Sequence, residues 1–261
     1  MGITNIQKYQ EIPVLNTHES TLPGPNEGRI QPRSIVEDTY PFKLSRNSTL
    51  TDFLYQNKLQ SERIAEQTPE IFDMNAQGQS PHTLWIGCSD SRISESCLGV
   101  APGEIFTLRN IANIVSSNDV STMGAIQFAI EVLKVKRVIV CGHTDCGGIW
   151  ASLSSKKIGG VLDHWLNPIR HVRAHNLKRL ASVSDPREKC ATLAELNVIS
   201  SVHALKRHPS FTDAYKKGDI EVYGLIYNVG TGLLHEIEIP VDDEFETVFD
   251  FSDESDDHAS H

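Results

Sequence analysis

The chain has 261 residues and a formal net charge of −10, but beyond Lys217 there is no Lys or Arg, while residues 218–261 hold 13 Asp and Glu. Residues 1–217 hold 24 basic and 21 acidic residues, a net of +3, so a near-neutral body carries an acidic end. Such a body lacks the basic face that neutralises nucleic-acid phosphates or docks on an anionic membrane, whereas a hydrophobic fraction of 39% is enough for a packed domain.

Residues 1–47 are polar and scattered with Pro13, Pro23, Pro25, Pro32 and Pro41, which predicts a loosely structured arm. The start lacks the apolar core of a signal peptide, and the first Arg, Arg29, follows Glu11, Glu19 and Glu27, unlike a mitochondrial presequence. Gly2 is followed by Ile6 where a myristoylation motif wants a hydroxyl. No apolar run approaches the roughly 20 residues of a membrane span. A cytoplasmic location is expected.

Thr49-Leu-Thr-Asp52 has the form of a capping box. With Leu50, Phe53 and Leu54 at helical spacing, it predicts a helix to about Glu66. Leu84–Cys88 and Arg137–Gly142 read as buried strands, and Glu104–Arg109 as another strand between them. Met123–Val135, with apolar residues at 126, 129, 130 and 133, reads as an amphipathic helix. Two further helices are expected over about 161–182 and 187–207. Ile220–Tyr227 and Leu233–Ile239 read as final strands parted by a Gly230-Thr-Gly232 turn. Lys134, Lys136 and Arg137 are expected to cluster at a helix end. Strands alternating with helices predict an α/β fold on a mainly parallel sheet. The division expected is an arm (1–47), one catalytic domain (48–240) and an acidic tail (241–261), compositionally disordered.

Five cysteines is an odd count, and without a secretory signal it points to metal binding or catalysis rather than a disulfide framework. Two clusters sit just past predicted strands, where α/β sheets build their sites. They are Cys88-Ser-Asp-Ser-Arg92 and His143-Thr-Asp-Cys-Gly-Gly148. Soft sulfur with imidazole suits zinc, and Cys88, His143 and Cys146 make three ligands, the pattern of a catalytic site with an open fourth position. Gly147 and Gly148 would keep the backbone close and open a helix. A closed site that staples the fold is the alternative, with Asp90 as fourth ligand. Asp90 and Arg92, two residues apart, can pair, which keeps the carboxylate ionised and oriented. If Arg92 released it, Asp90 could fill the fourth position. Two thiolates cancel the charge of the ion, so activity should improve toward alkaline pH. Cys141 reads as a small buried hydrophobe, and Cys97 and Cys190 as bystanders. No Cys-x-x-Cys occurs, which disfavours a thiol redox protein. His164, His171 and His175 would share one face of a predicted helix, a weak second candidate for a metal.

These motifs, with Pro102-Gly-Glu104 and Arg109-Asn-Ile-Ala-Asn113, resemble in order and spacing those of the β-class carbonic anhydrases, from about Leu50 to Ile239. Gly142 to Gly160 and the acidic tail look most like yeast-type fungal members. The resemblance implies a central sheet of four parallel strands plus an antiparallel edge strand, flanked by helices, with an N-terminal helical arm. It implies one Zn2+ per subunit on Cys88, His143 and Cys146, and reversible hydration of carbon dioxide to bicarbonate and a proton by zinc-bound hydroxide. Asp90 and Arg92 fall on the family's dyad, Gln60 on a glutamine that steadies substrate, and Phe106, Phe128 and Gly147 in the substrate pocket. Phe128 stands where many members have a tyrosine. Bicarbonate-inhibited members carry a tryptophan where Gln60 stands, although Arg109 and Tyr227 match other parts of that inhibitory site. A homodimer or homotetramer with pocket residues shared across the interface is implied, the N-terminal arm embracing the neighbour. The competing functions are hydrolysis of carbonyl sulfide or carbon disulfide on the same site, and a non-catalytic zinc protein that senses bicarbonate. None of this chemistry calls for the acidic tail, and deletion after Pro240 is expected to leave hydration intact.

Overall fold

The strand at the centre of the sheet is the one with no polar side to spare. β1, Thr83–Cys88, is buried at every position, because it has a parallel neighbour on each side and helices over its faces. This is seen in a computed structural model of the chain, in which residues 42–241 are described. Nearly all of the expected arm and the acidic tail lie outside these residues.

β2 (Ile105–Asn110), β3 (Arg137–His143), β4 (Glu221–Asn228) and β5 (Leu233–Ile237) complete a sheet of order β2-β1-β3-β4-β5. The first four strands are mutually parallel and β5 pairs antiparallel with β4, as expected. The β4–β5 turn closes where the Gly232 N–H donates to the Asn228 carbonyl at 2.8 Å. Gly232 has φ 75° there, a conformation that costs glycine little.

The helices are α1 (Leu50–Gln67), α2 (Ile71–Ala76), α3 (Val120–Gln127), α4 (Gly147–Leu153), α5 (Val161–Trp165), α6 (Asn167–His175), α7 (Leu177–Ala181), α8 (Pro186–Lys206) and α9 (Pro209–Lys216). α1 begins at its capping box: the Thr49 N–H and hydroxyl both donate to Asp52 Oδ2, at 2.7 and 2.8 Å. α8 lies against β3 and β4 and carries Leu193, Val198, Val202 and Leu205 into the core.

Three expectations need correction. The helix expected over 161–182 is three short ones, broken where Pro168 opens α6 and where Asn176 leaves helical geometry (φ −115°, ψ 23°). His164 therefore lies on α5, apart from His171 and His175 on α6. The helix expected over 123–135 starts three residues earlier, where Asp119 caps Ser121 N–H at 3.2 Å, and passes into a π turn over Phe128–Val132. Lys134 (φ 56°) ends that run, and Arg137 opens β3, paired with Glu221 at 3.2 Å rather than capping a helix. α2 and α9 were not anticipated.

The chain leaves β1 toward β2 on one side and returns as β3 on the other. This reversal opens a crevice at the carboxyl ends of β1 and β3, where ligands bind in such sheets.

Candidate metal centre

Cys88 is the last residue of β1 and His143 the last of β3. Cys146 follows a tight turn through Asp145, held at φ 59°, and caps α4. The two thiols and the imidazole are buried, and their ligand atoms all lie within 4.8 Å of one another. Among the described residues no other group of three His, Cys, Asp or Glu converges in this way.

The donor set fits a metal. His143 Nδ1 lies 3.0 Å from the Thr144 carbonyl, which places the proton there and leaves Nε2 bare. That Nε2 is buried without a hydrogen-bond partner, a costly arrangement in a protein unless something else occupies the nitrogen. The Cys146 thiol hydrogen-bonds Cys88, which pushes the Cys88 thiol down and its own up. Two sulfurs and one imidazole nitrogen match a three-ligand zinc site.

Asp90 stands beside this cluster, Oδ2 lying 3.9 Å from His143 Nε2. Its carboxylate is fully engaged by Arg92. The backbone N–H and Nε donate to Oδ1 at 2.9 and 3.0 Å, and Nη2 donates to Oδ2 at 2.9 Å. Those hydrogen bonds, against the opposing effect of burial, hold the Asp90 carboxyl down to about 2. Arg92 also reaches the other ligand loop, donating to Asp145 Oδ2 at 3.1 Å and to the Asp145 carbonyl at 3.0 Å. The Trp150 indole N–H fixes the same carboxylate at 2.7 Å. Sequence reading missed Asp145 and Trp150; their signal was an acid set between two ligands.

Arg109 is spent on the loop after β1, donating to the carbonyls of Cys88 at 2.9 Å and of Asp90 and Ile93 at 2.7 Å. Two buried consecutive residues, Ala112 (φ 64°) and Asn113 (φ 47°), are left-handed. For alanine this costs about 1–2 kcal/mol, and for asparagine less. The Ala112 N–H points at Cys88 Sγ (3.3 Å), as does that of Asp90 (3.4 Å). A Cβ on Gly148 would lie 2.8 Å from that of Ala112, so α4 can pack this closely only with glycine there.

Phe106 on β2 and Phe128 at the π turn face each other with ring centroids 5.8 Å apart. Gly147 is the first residue of α4, directly after Cys146. Gln60 is not among these groups. It lies on α1, which buries none of its residues, and accepts a hydrogen bond from Arg63. Cys141 and Cys190 are buried apart from the three ligands, and Cys97 is half-buried.

The fold and site define an enzyme class: an α/β protein whose mainly parallel sheet sets two cysteines, a histidine and a guanidinium-held carboxylate round one crevice. Comparison with known proteins narrows this. The family model described as carbonic anhydrase matches residues 83–234. A carbonic anhydrase of Candida albicans is 63% identical over 84% of this chain and 78% of its own length. The solved β-carbonic anhydrase of Aspergillus fumigatus aligns with a TM-score of 0.73 and 40% identity, over 76% of this chain and 95% of that one. One of two tetrameric β-carbonic anhydrases of Sordaria macrospora aligns at 0.70 and 40%, over 73% and 97%. The chain belongs to the carbonic anhydrase family, as a β-class member of the yeast-type fungal kind.

Proposed function

We propose that this enzyme hydrates carbon dioxide reversibly to bicarbonate and a proton, with one zinc ion held by Cys88, His143 and Cys146. The observation that carries this is the buried, unpartnered His143 Nε2 facing two thiols, with a pre-ionised carboxylate 3.9 Å away. Bound there, zinc would acidify water and stabilise the negative charge that develops on the substrate.

The rest is the chain's own work. Asp90, kept ionised by Arg92, can accept a hydrogen bond or proton from a water beside the ligand cluster, and its fixed orientation leaves little to reorganise. With Arg92 holding all of that carboxylate, a fourth ligand position would be left to water, and release from Arg92 is what would let Asp90 fill it. Phe106 and Phe128, whose rings face each other, would with Gly147 supply an apolar wall suited to an uncharged substrate. Phe128 offers surface but no hydroxyl.

α1 leaves Leu50, Phe53, Leu54 and Leu59 exposed. A helix with so much bare apolar surface is suited to a second copy, and a Sordaria relative is described as tetrameric. We therefore place Gln60 at the crevice of a partner subunit in a homodimer or homotetramer, where it would steady a substrate oxygen. The ligand thiols must remain reduced, which fits the cytoplasm.

Stopped-flow hydration by zinc-loaded protein, run beside carbonyl sulfide and carbon disulfide hydrolysis, tests the reading. Dominant carbon dioxide turnover is expected. Turnover of only the sulfur substrates, or zinc without turnover, would replace it with one of its competitors.

A further inference from the structure

We propose that helix α8 positions the ligand Cys88 from behind, through Asn197 and Ser201, residues that touch neither the ligand cluster nor the crevice. The inference rests on the metal-centre reading above. Asn197 Nδ2 donates to the Ala112 carbonyl at 2.9 Å, and Ser201 Oγ donates to the Asn113 carbonyl at 3.1 Å. The two side chains are four residues apart, on one face of α8, and each is 3% exposed. They are polar residues within a helix that otherwise turns Leu193, Val198, Val202 and Leu205 into the core.

Their targets are the two carbonyls of the left-handed pair. Asparagine tolerates that conformation, but alanine would not hold it unbraced at a buried position, so the surroundings must enforce it. Asn110 braces the turn from below, bonding Ile114 N–H and C=O at 2.8 Å each. Asn197 and Ser201 brace its outer carbonyls. Ser201 Oγ also accepts from Val115 N–H at 3.4 Å, so the serine grips the turn on both sides.

The turn delivers the Ala112 N–H to Cys88 Sγ at 3.3 Å. A donor at a thiolate draws electron density from the sulfur, orients the ligand and limits what it gives to a bound metal. The chain of contacts is therefore α8 side chain, strained carbonyl, aimed N–H, ligand sulfur. Asn197 and Ser201 are positioning residues in this sense and touch no substrate.

Cobalt exchanged for zinc supplies a readout that packing alone does not move, the thiolate-to-cobalt charge-transfer band. In Asn197→Ala the band should shift to lower energy. A chelator should strip the metal about tenfold faster, in line with outer-shell losses at metal sites. Glycine adopts the left-handed conformation without penalty. In the Ala112→Gly background, therefore, Asn197→Ala should leave the band nearly unmoved and change the stripping rate by less than about threefold. Ser201→Ala, a smaller change, should give the same shift in weaker form and serves if Asn197→Ala folds poorly. A band unmoved in folded Asn197→Ala and Ser201→Ala would overturn the proposal while leaving the metal-centre reading intact. So would an Asn197→Ala effect equally large in both backgrounds. Parent protein that takes up no cobalt would instead overturn the metal-centre reading itself, and the proposal with it.

Discussion

Arg92 and Asp145 are joined twice, through Nη1 to Oδ2 at 3.1 Å and through Nη2 to the backbone carbonyl at 3.0 Å. The guanidinium that holds Asp90 is thus itself held by the loop between His143 and Cys146. Ligand geometry and carboxylate orientation are coupled through one side chain.

Cutting that link should lower turnover without unloading the metal. The Arg92–Asp145 pair is partly exposed and worth about 1 kcal/mol at most, so Asp145→Asn, which removes the charge and tolerates the left-handed backbone, should reduce kcat/KM by up to about fivefold. Trp150→Phe, which removes the indole donor, should have a smaller effect in the same direction. Kinetics paired with metal analysis checks this. Loss of metal in step with loss of rate would mean that Asp145 shapes the ligand loop rather than Arg92.

Asp90 yields a prediction about pH. Its carboxyl is held down to about 2, below the ordinary value of 3.8, first by the Arg92 side chain. A group depressed on folding adds stability that is full above the unfolded value and is lost as pH falls through the folded one. That window is about pH 4 down to about pH 2. Across the neutral range Asp90 stays ionised, so its protonation does not set the acid limb of turnover. Asp90→Asn should keep the metal and lower kcat on the order of 100-fold, with the acid-side inflection unmoved. A profile from about pH 6 to about pH 9 reads both. Activity should rise toward the alkaline end, because two thiolates neutralise the ion and leave water less acidified. An inflection that disappears in Asp90→Asn would contradict the assignment.

The cysteines should differ in reactivity. Burial pushes Cys190 up to about 12 and Cys141 higher still, and raises Cys97 more modestly. Thiolate is the reactive form. In native metal-loaded protein near pH 8, none of the five should be alkylated quickly. After chelation Cys88 should react first, since its thiol is pushed down by the Cys146 hydrogen bond. Mass mapping distinguishes the sites, and early labelling at Cys141 or Cys190 with the fold intact would count against this picture.

What could be read from residue types was the chemistry and the sheet. β1, β3 and β4 are apolar runs bounded by polar loops, and α1 announces itself by Thr49 and Asp52. Soft donors at or just past two strand ends marked Cys88, His143 and Cys146 as one cluster before any distance was known. The misses have a common cause. α2 and α9 are short, and their stability comes from packing rather than from periodicity. The break at Asn176, whose side chain donates to the Val172 carbonyl, and the π turn at Phe128 interrupt patterns that read as continuous helix. The left-handed turn is the clearest case. Asparagine at 113 tolerates it, but alanine at 112 argues against it, and the residues that enforce it, Asn197 and Ser201, lie 85 and 88 positions on. Gln60 is a different case, since it sits on a helix that buries none of its residues within its own chain.

The most direct measurement is carbon dioxide hydration by stopped flow on purified protein of known metal content, before and after chelation and on restoring zinc. The expected result is one zinc per chain, rapid hydration, loss of hydration with the metal and recovery with zinc. A full complement of zinc on Cys88, His143 and Cys146 with no hydration would contradict the central claim.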